Sequence, residues 1–167
     1  MIDQLKKAQA EYDKFPTEFT SIIMSTVSKE GIPDASYAPF VIDNNKNIYI
    51  YVSGLATHTQ NIYNHPFVSV LFIEDEIKTK QIFARRRLNF NCTANLVERE
   101  TEKWQQIVDQ FEIRFGELIC TLRSLPDFRI FQLTPKNGRF VIGFGAAYNI
   151  SSDNINQLIQ ITKESLS

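Results

Sequence analysis

Residues 31–75 read GIPDASYAPFVIDNNKNIYIYVSGLATHTQNIYNHPFVSVLFIED, and this stretch decides the fold. Residues 35–42 and 48–52 are rich in β-branched and aromatic side chains. The run Asp43-Asn44-Asn45-Lys46-Asn47 between them is made of turn formers that tolerate left-handed backbone, so the two segments read as a hairpin. After Val52 the sequence turns polar at Ser53-Gly54-Leu55-Ala56-Thr57-His58-Thr59. Thr57 has the chemistry of an N-cap, and a helix is expected from there toward Asn64, stopped by Pro66. Residues 67–73 are almost wholly apolar, as in a strand of a closed sheet. The order is strand, turn, strand, short helix, strand, and the residues able to do chemistry sit at the joints.

A helix start flanked by hydroxyls and an imidazole is a natural seat for an anion, because its first N–H groups lack intrahelical partners. The same residues can also serve only as cap and packing. Proline cannot donate to a ladder, so Pro39 belongs to an edge or a bulge of its strand.

Working outward, residues 3–15 place Leu5, Ala8, Tyr12 and Phe15 on one helical face, closed by Pro16, and residues 20–27 read as a strand. Glu74, Asp75 and Glu76 read as a solvated strand end. Residues 78–83 form a loop or short helix leading to Arg85, Arg86 and Arg87. Consecutive residues entering a strand alternate in direction, so these three cannot all meet one ligand. Residues 89–97 continue as a strand. From Glu98 the apolar spacing changes to three and four through Trp104, Ile107, Val108, Phe111, Phe115, Leu118, Ile119 and Leu122, which predicts one long helix over about 99–122. Residues 128–133 and 139–144 read as two strands around a turn at 134–138, and Gly143-Phe144-Gly145 as a bulge or a close backbone approach. A C-terminal helix is expected over about 153–164.

With 167 residues, a formal net charge of -1 and 43% hydrophobic residues, the chain has the composition of one globular domain spanning residues 1–167. Charge implies neither nucleic acid nor membrane as partner. The N-terminus lacks an apolar run of signal-peptide length and no segment approaches a membrane span, so a cytoplasmic protein is the simplest expectation. Cys92 and Cys120 lie in apolar surroundings without metal-ligand spacing and are expected as reduced core residues, with no metal site.

The runs ASYAPFV, SGLATHTQNIYNHP, IED, FARRRL, RFGE, SLPDF and GFGAAY occur in this order between about Ser21 and Tyr148. In this they resemble the haem-utilisation branch (HugZ/HutZ type) of the FMN-binding split-barrel superfamily, which also holds pyridoxamine 5′-phosphate oxidase. The resemblance implies a mainly β (α+β) fold, an antiparallel split β-barrel with peripheral helices, paired as a homodimer with a cofactor at the seam. By it Ser36, Ser53, Thr57, His58 and Thr59 become candidates for an FMN phosphate, where the oxidases carry basic residues at the positions of Ser36, Thr57 and His58. Arg85 or Arg87 would pair with a phosphate or a haem propionate, and Tyr37 or Phe144 would border a ring. Asp127 matches the aspartate that stands near the iron in haem-degrading members. Those members hold haem through a tail histidine, whereas this sequence has no histidine after His65 and offers Ser165 at about that place. FMN or haem is therefore the expected cofactor. The functions implied are a flavin-dependent oxidoreductase, a haem-degrading oxygenase, or a haem carrier without turnover.

Overall fold

The computed structural model describes residues 2–161. Its elements run α1 (Ile2–Lys14), β1 (Ser21–Val27), β2 (Pro33–Ile42), β3 (Ile48–Ser53), α2 (Thr57–Asn64), β4 (Phe67–Ile73), β5 (Arg87–Val97), α3 (Glu102–Phe115), α4 (Leu118–Ser124), β6 (Phe128–Gly143), β7 (Ala146–Ile150) and β8 (Leu158–Gln160). The strand order is β3-β2-β1-β4-β5-β6-β7-β8, and β3 also pairs with β6. That extra pairing closes six strands into an antiparallel barrel, the split-barrel architecture that the sequence resemblance implied.

Packing divides the chain into two compact units, one made of Thr20–Ser69 and Cys92–Pro135, the other of the described parts of Met1–Phe19, Val70–Asn91 and Lys136–Ser167. In the first unit β3 is buried on every residue from Ile48 to Val52. Its alternate residues must therefore be covered on both faces, and Tyr49 and Tyr51 supply the second one by joining Trp104, Ile107, Val108 and Phe111 of α3 in one cluster. In the second unit the core is aromatic. Tyr12 and Phe15 of the first 19 residues meet Phe140, with ring centroids 5.7 and 5.4 Å away, and Phe72 lies edge-on to Phe90.

The hairpin of β2 and β3 forms as expected. Asp43 organises its turn, accepting hydrogen bonds from the backbone N–H groups of Asn45 and Asn47 at 2.9 Å and from the Tyr49 hydroxyl at 3.1 Å. Pro39 faces Ser21 of β1, and only residues 40–42 of β2 pair with β3, so the proline lies where no donor is needed on the β3 side.

Four expectations are corrected. The long helix over 99–122 is two helices, because Gly116 takes φ 78° after α3, a left-handed conformation that ends the helix before α4 begins. The two strands around 134–138 are one strand, β6, whose first half pairs with β3 and whose second half pairs with β7. Gly138 stands there for closeness and not for turning, since a Cβ on it would lie 2.2 Å from the carbonyl oxygen of Asn89. The C-terminal helix does not form over the described part of 153–164. Leu158–Gln160 is strand β8, and the segment before it is held by α1: Tyr12 donates to the Ile155 carbonyl at 2.6 Å and Gln9 to the Asn156 carbonyl at 2.8 Å. Residues 162–167, Ser165 among them, lie outside the described residues. Finally, Cys92 is buried as expected while Cys120 is exposed on α4.

Candidate functional site

The residues singled out at the end of β3 and the start of α2 come together, and their hydrogen bonds show what each is free to do. Ser53, the last residue of β3, donates from Oγ to the Asp127 carboxylate at 3.1 Å and accepts from the Leu55 N–H at 3.2 Å. The Gly54 N–H donates to the Asp127 carbonyl at 2.7 Å, and a Cβ at Gly54 would meet that same oxygen at 2.7 Å. Residue 54 must be glycine for the chain before β6 to lie this close. Asp127 is thereby fixed through both its side chain and its backbone.

The start of α2 differs from the sequence expectation by one residue. Ala56 occupies the cap position without a side-chain bond, and Thr57 is the first helical residue, exposed to solvent. Thr59 is fully buried and donates from Oγ1 to the Ser53 carbonyl at 2.6 Å, which ties the helix back to the strand it left. Asn61 is buried as well and donates to Thr26 Oγ1 at 3.0 Å, locking α2 onto β1. No sequence signal marks this pair, because asparagine in a short polar helix is unremarkable until its partner on a distant strand is known.

His58 faces β2. Its Nδ1 lies 3.2 Å from Ser36 Oγ, and its Nε2 is buried with no partner among the described residues. Burial pushes its pKa below the ordinary histidine value, and the nearby Asp34 opposes the shift without reversing it. The imidazole is therefore neutral at neutral pH. Asp34 was not foreseen as part of this cluster, since it becomes relevant only once β2 is laid beside α2. Tyr37 is on the opposite face of β2, 69% exposed, paired across the ladder with the exposed Ile23.

The cluster supplies hydroxyls, one neutral imidazole and the two carboxylates of Asp127 and Asp34, with no lysine or arginine among the expected phosphate residues. Three of its four hydroxyls are engaged, Ser53 with Asp127, Thr59 with the Ser53 carbonyl and Ser36 with His58. It fits the phosphate of FMN poorly for that reason, since a dianion needs donors or cations not already used.

The two arginine candidates have separate situations. Arg85 spends its guanidinium on the Glu74 carbonyl, with Nε at 3.0 Å, and on Glu76 at 3.3 Å. Arg87 donates from Nη1 to the Arg85 carbonyl and otherwise lines a groove on its own unit. The arginine between them is structural: Arg86 bridges Glu74 and Glu18, each at 3.0 Å, and covers the ring of Phe15. Glu74 is thus paired rather than merely solvated, and its carboxyl is held below the usual range by Arg86, against the opposing effect of desolvation. Phe144 is 74% exposed between β6 and β7. Among the described residues no cluster of His, Cys, Asp and Glu could hold a metal ion.

Residues 8–142 match the family model described as pyridoxamine 5′-phosphate oxidase. The heme oxygenase HutZ of Vibrio cholerae serotype O1 is 41% identical over 155 residues, covering 93% of this chain and 88% of that protein. Among solved structures, the crystal structure of HutZ, described as the heme storage protein from Vibrio cholerae, superposes with a TM-score of 0.71 at 41% identity. It covers 75% of this chain and 88% of that one. Campylobacter jejuni ChuZ gives a TM-score of 0.83 at 36% identity, covering 93% of this chain and 63% of that one. A heme binding protein from Mycobacterium smegmatis, 17% identical, shares the fold with a TM-score of 0.72 over 89% of this chain and 60% of its own.

Proposed function

The chain belongs to the pyridoxamine 5′-phosphate oxidase family, and on that footing we propose that it is a haem-binding protein of the haem-utilisation branch, working as a single split-barrel domain in a cytoplasmic homodimer. The observation that carries this reading is the double anchoring of Asp127 by Ser53 and Gly54. A carboxylate fixed through its side chain and its own carbonyl is pre-organised to hold a hydrogen-bonding partner without paying to be ordered, as a polar group beside a bound tetrapyrrole must be. The relative at 41% identity, a heme oxygenase, points the same way. Bound haem would supply the redox-active iron. The part of this chain is to bind and orient it, with Asp127 fixed, His58 neutral and Ser36 hydrogen-bonded to the imidazole.

Dimerisation is supported by the face of β1 and β2 that looks away from Met24 and Phe40. Ser21, Ile23 and Ser25 stand opposite Pro39, Tyr37 and Ala35 there, all exposed and none charged. An uncharged ladder with an aromatic at its centre suits the core of an interface between identical subunits. Size-exclusion chromatography with light scattering at micromolar concentration should give twice the 19.3 kDa chain mass; a monomer would remove the seam from this reading.

A second reading, a flavin-dependent oxidoreductase, is favoured by the exposed Thr57 at the first turn of α2, where backbone N–H groups are free to meet a phosphate. One experiment separates the two. The purified protein is titrated with haemin and, separately, with FMN. A sharp, saturable Soret band that weakens in Asp127→Ala supports the haem reading. Saturable quenching of flavin fluorescence without a Soret band replaces it with the flavin one.

A further inference from the structure

Residues 125–127, between α4 and β6, belong to no helix or strand, so their carbonyls must find partners outside a regular ladder. Two arginines supply most of them. Arg99 donates from Nη1 to the Leu125 carbonyl at 3.0 Å and from Nη2 to the Arg123 carbonyl, and Arg129 donates from Nη1 to the Pro126 carbonyl. With the Gly54 N–H on the Asp127 carbonyl, three consecutive carbonyls each accept a bond. The Arg123 carbonyl is also one of the last four of α4, which have no partner within the helix, and a guanidinium there meets the negative end of the helix.

Arg99 is itself placed by the start of α3. Thr101 Oγ1 donates to the Glu98 carbonyl at 2.7 Å and accepts from the Trp104 N–H at 3.2 Å, so one hydroxyl ties the residues on both sides of Arg99 together. Glu100 takes φ 65° within that turn. The Arg99 guanidinium then lies over the ring of the buried Trp104, 5.0 Å from its centroid. A stacked, planar fork is oriented before it bonds, and two donors at fixed spacing can hold two carbonyls at once. Among the described residues no carboxylate pairs with Arg99, whereas Arg123 is drawn to Asp109 at 2.9 Å. The donors of Arg99 therefore go to the backbone that leads into Asp127.

We propose that Arg99 is the positioning residue of Asp127. Its fork fixes the distance between the Arg123 and Leu125 carbonyls, and so delivers residue 127 with its carboxylate on Ser53 Oγ and its carbonyl on Gly54 before any ligand arrives. The consequence for haem rests on the haem-binding reading, in which Asp127 is the fixed carboxylate. A lysine at 99 could satisfy one of the two carbonyls and would leave the spacing between them free.

The test combines amide hydrogen exchange of the full chain without ligand and a haemin titration. In Arg99→Gln the Gly54 N–H, which reports the bond to the Asp127 carbonyl, is expected to exchange about tenfold faster, while the His65 N–H, on the Asn61 carbonyl at the end of α2, keeps the wild-type rate. Arg99→Lys should fall between the wild type and Arg99→Gln, and it carries the test if Arg99→Gln does not fold. Haemin affinity should drop about fivefold in Arg99→Gln, yet change by less than about twofold when the same substitution is made in Asp127→Ala, where nothing is left to position. An unchanged Gly54 rate, an equal rise at Gly54 and His65, or the same drop in the Asp127→Ala background overturns the proposal. If Asp127→Ala itself binds haemin as the wild type does, the haem reading of that carboxylate fails, and the Gly54 rate still decides whether Arg99 positions it.

Discussion

His58 Nδ1 lies 3.2 Å from Ser36 Oγ, and the other nitrogen of the same ring is buried without a partner among the described residues. Burial disfavours the charged form of an imidazole so placed, because both ring nitrogens would then be donors and the one at Nε2 would have nothing among the described residues to accept it. This joint between α2 and β2 is therefore sensitive to acid.

The pH dependence has a definite sign. The folded-state pKa of His58 is lowered by burial, so on acidification the unfolded chain takes up this proton first, and its uptake favours unfolding. The contribution is fully present above the ordinary histidine value of about 6.5 and is lost as pH falls through the folded-state value. Denaturant melts at pH 7 and at pH 5 should show a larger loss for the wild type than for His58→Gln. Equal losses would mean that the ring is not held neutral.

Gly54→Ala puts a Cβ 2.7 Å from the Asp127 carbonyl oxygen, a backbone atom that cannot swing aside. The bond from the Gly54 N–H to that oxygen must lengthen or the chain at 127 must move. A loss of about 1–3 kcal/mol in urea denaturation is expected. A weakened haemin Soret band should accompany it if Asp127 serves the haem site.

The buried Thr26 and Asn61 pair anchors the helix that carries His58. Thr26→Val leaves the Asn61 amide without its acceptor and should cost about 1–3 kcal/mol. Thr26→Val combined with Asn61→Leu removes both polar groups and should cost clearly less than the sum of the single changes. Additive losses in that double-mutant cycle would show that the two residues are not coupled.

Cys92 is buried and its thiol is pushed up to about 12 by desolvation, whereas Cys120 is exposed, its thiol raised chiefly by its hydrogen bond to the Glu112 carboxylate. An aromatic disulfide reagent at pH 8 should titrate one thiol in the native protein and two in guanidinium. Loss of the native-state reaction in Cys120→Ser would confirm which one. Two fast thiols in the native protein would mean that the segment around Cys92 in β5 opens readily.

Local signals carried far along this chain, and each failure has a tertiary cause. The hairpin at 35–52, the first helix, α2 and β4 were legible because turn formers, periodicity and breakers agree with the final packing there. The run Thr134-Pro135-Lys136-Asn137-Gly138 reads as a turn because asparagine and glycine prefer one in isolation. In the protein the same residues continue β6 as it changes partner from β3 to β7. Residues 153–161 have a helical spacing, yet the bonds from Tyr12 and Gln9 and pairing with β7 are non-local and override it. At the candidate site the joints were legible as polar interruptions in apolar strands. The duties of their residues were not, because whether a hydroxyl is free or spent depends on what the fold brings beside it.

By itself the sequence determined the barrel class, the family and the residues gathered at the start of α2, since alternation, punctuation and the order of short motifs are properties of neighbours along the chain. Only the tertiary structure decided that Asp127 is fastened to Ser53 and Gly54, that His58 is neutral, that Arg85 is spent, and that Arg99 holds the chain leading into Asp127. Those outcomes depend on contacts between residues that lie far apart in sequence, and through them on which charges and hydrogen-bonding groups lose water.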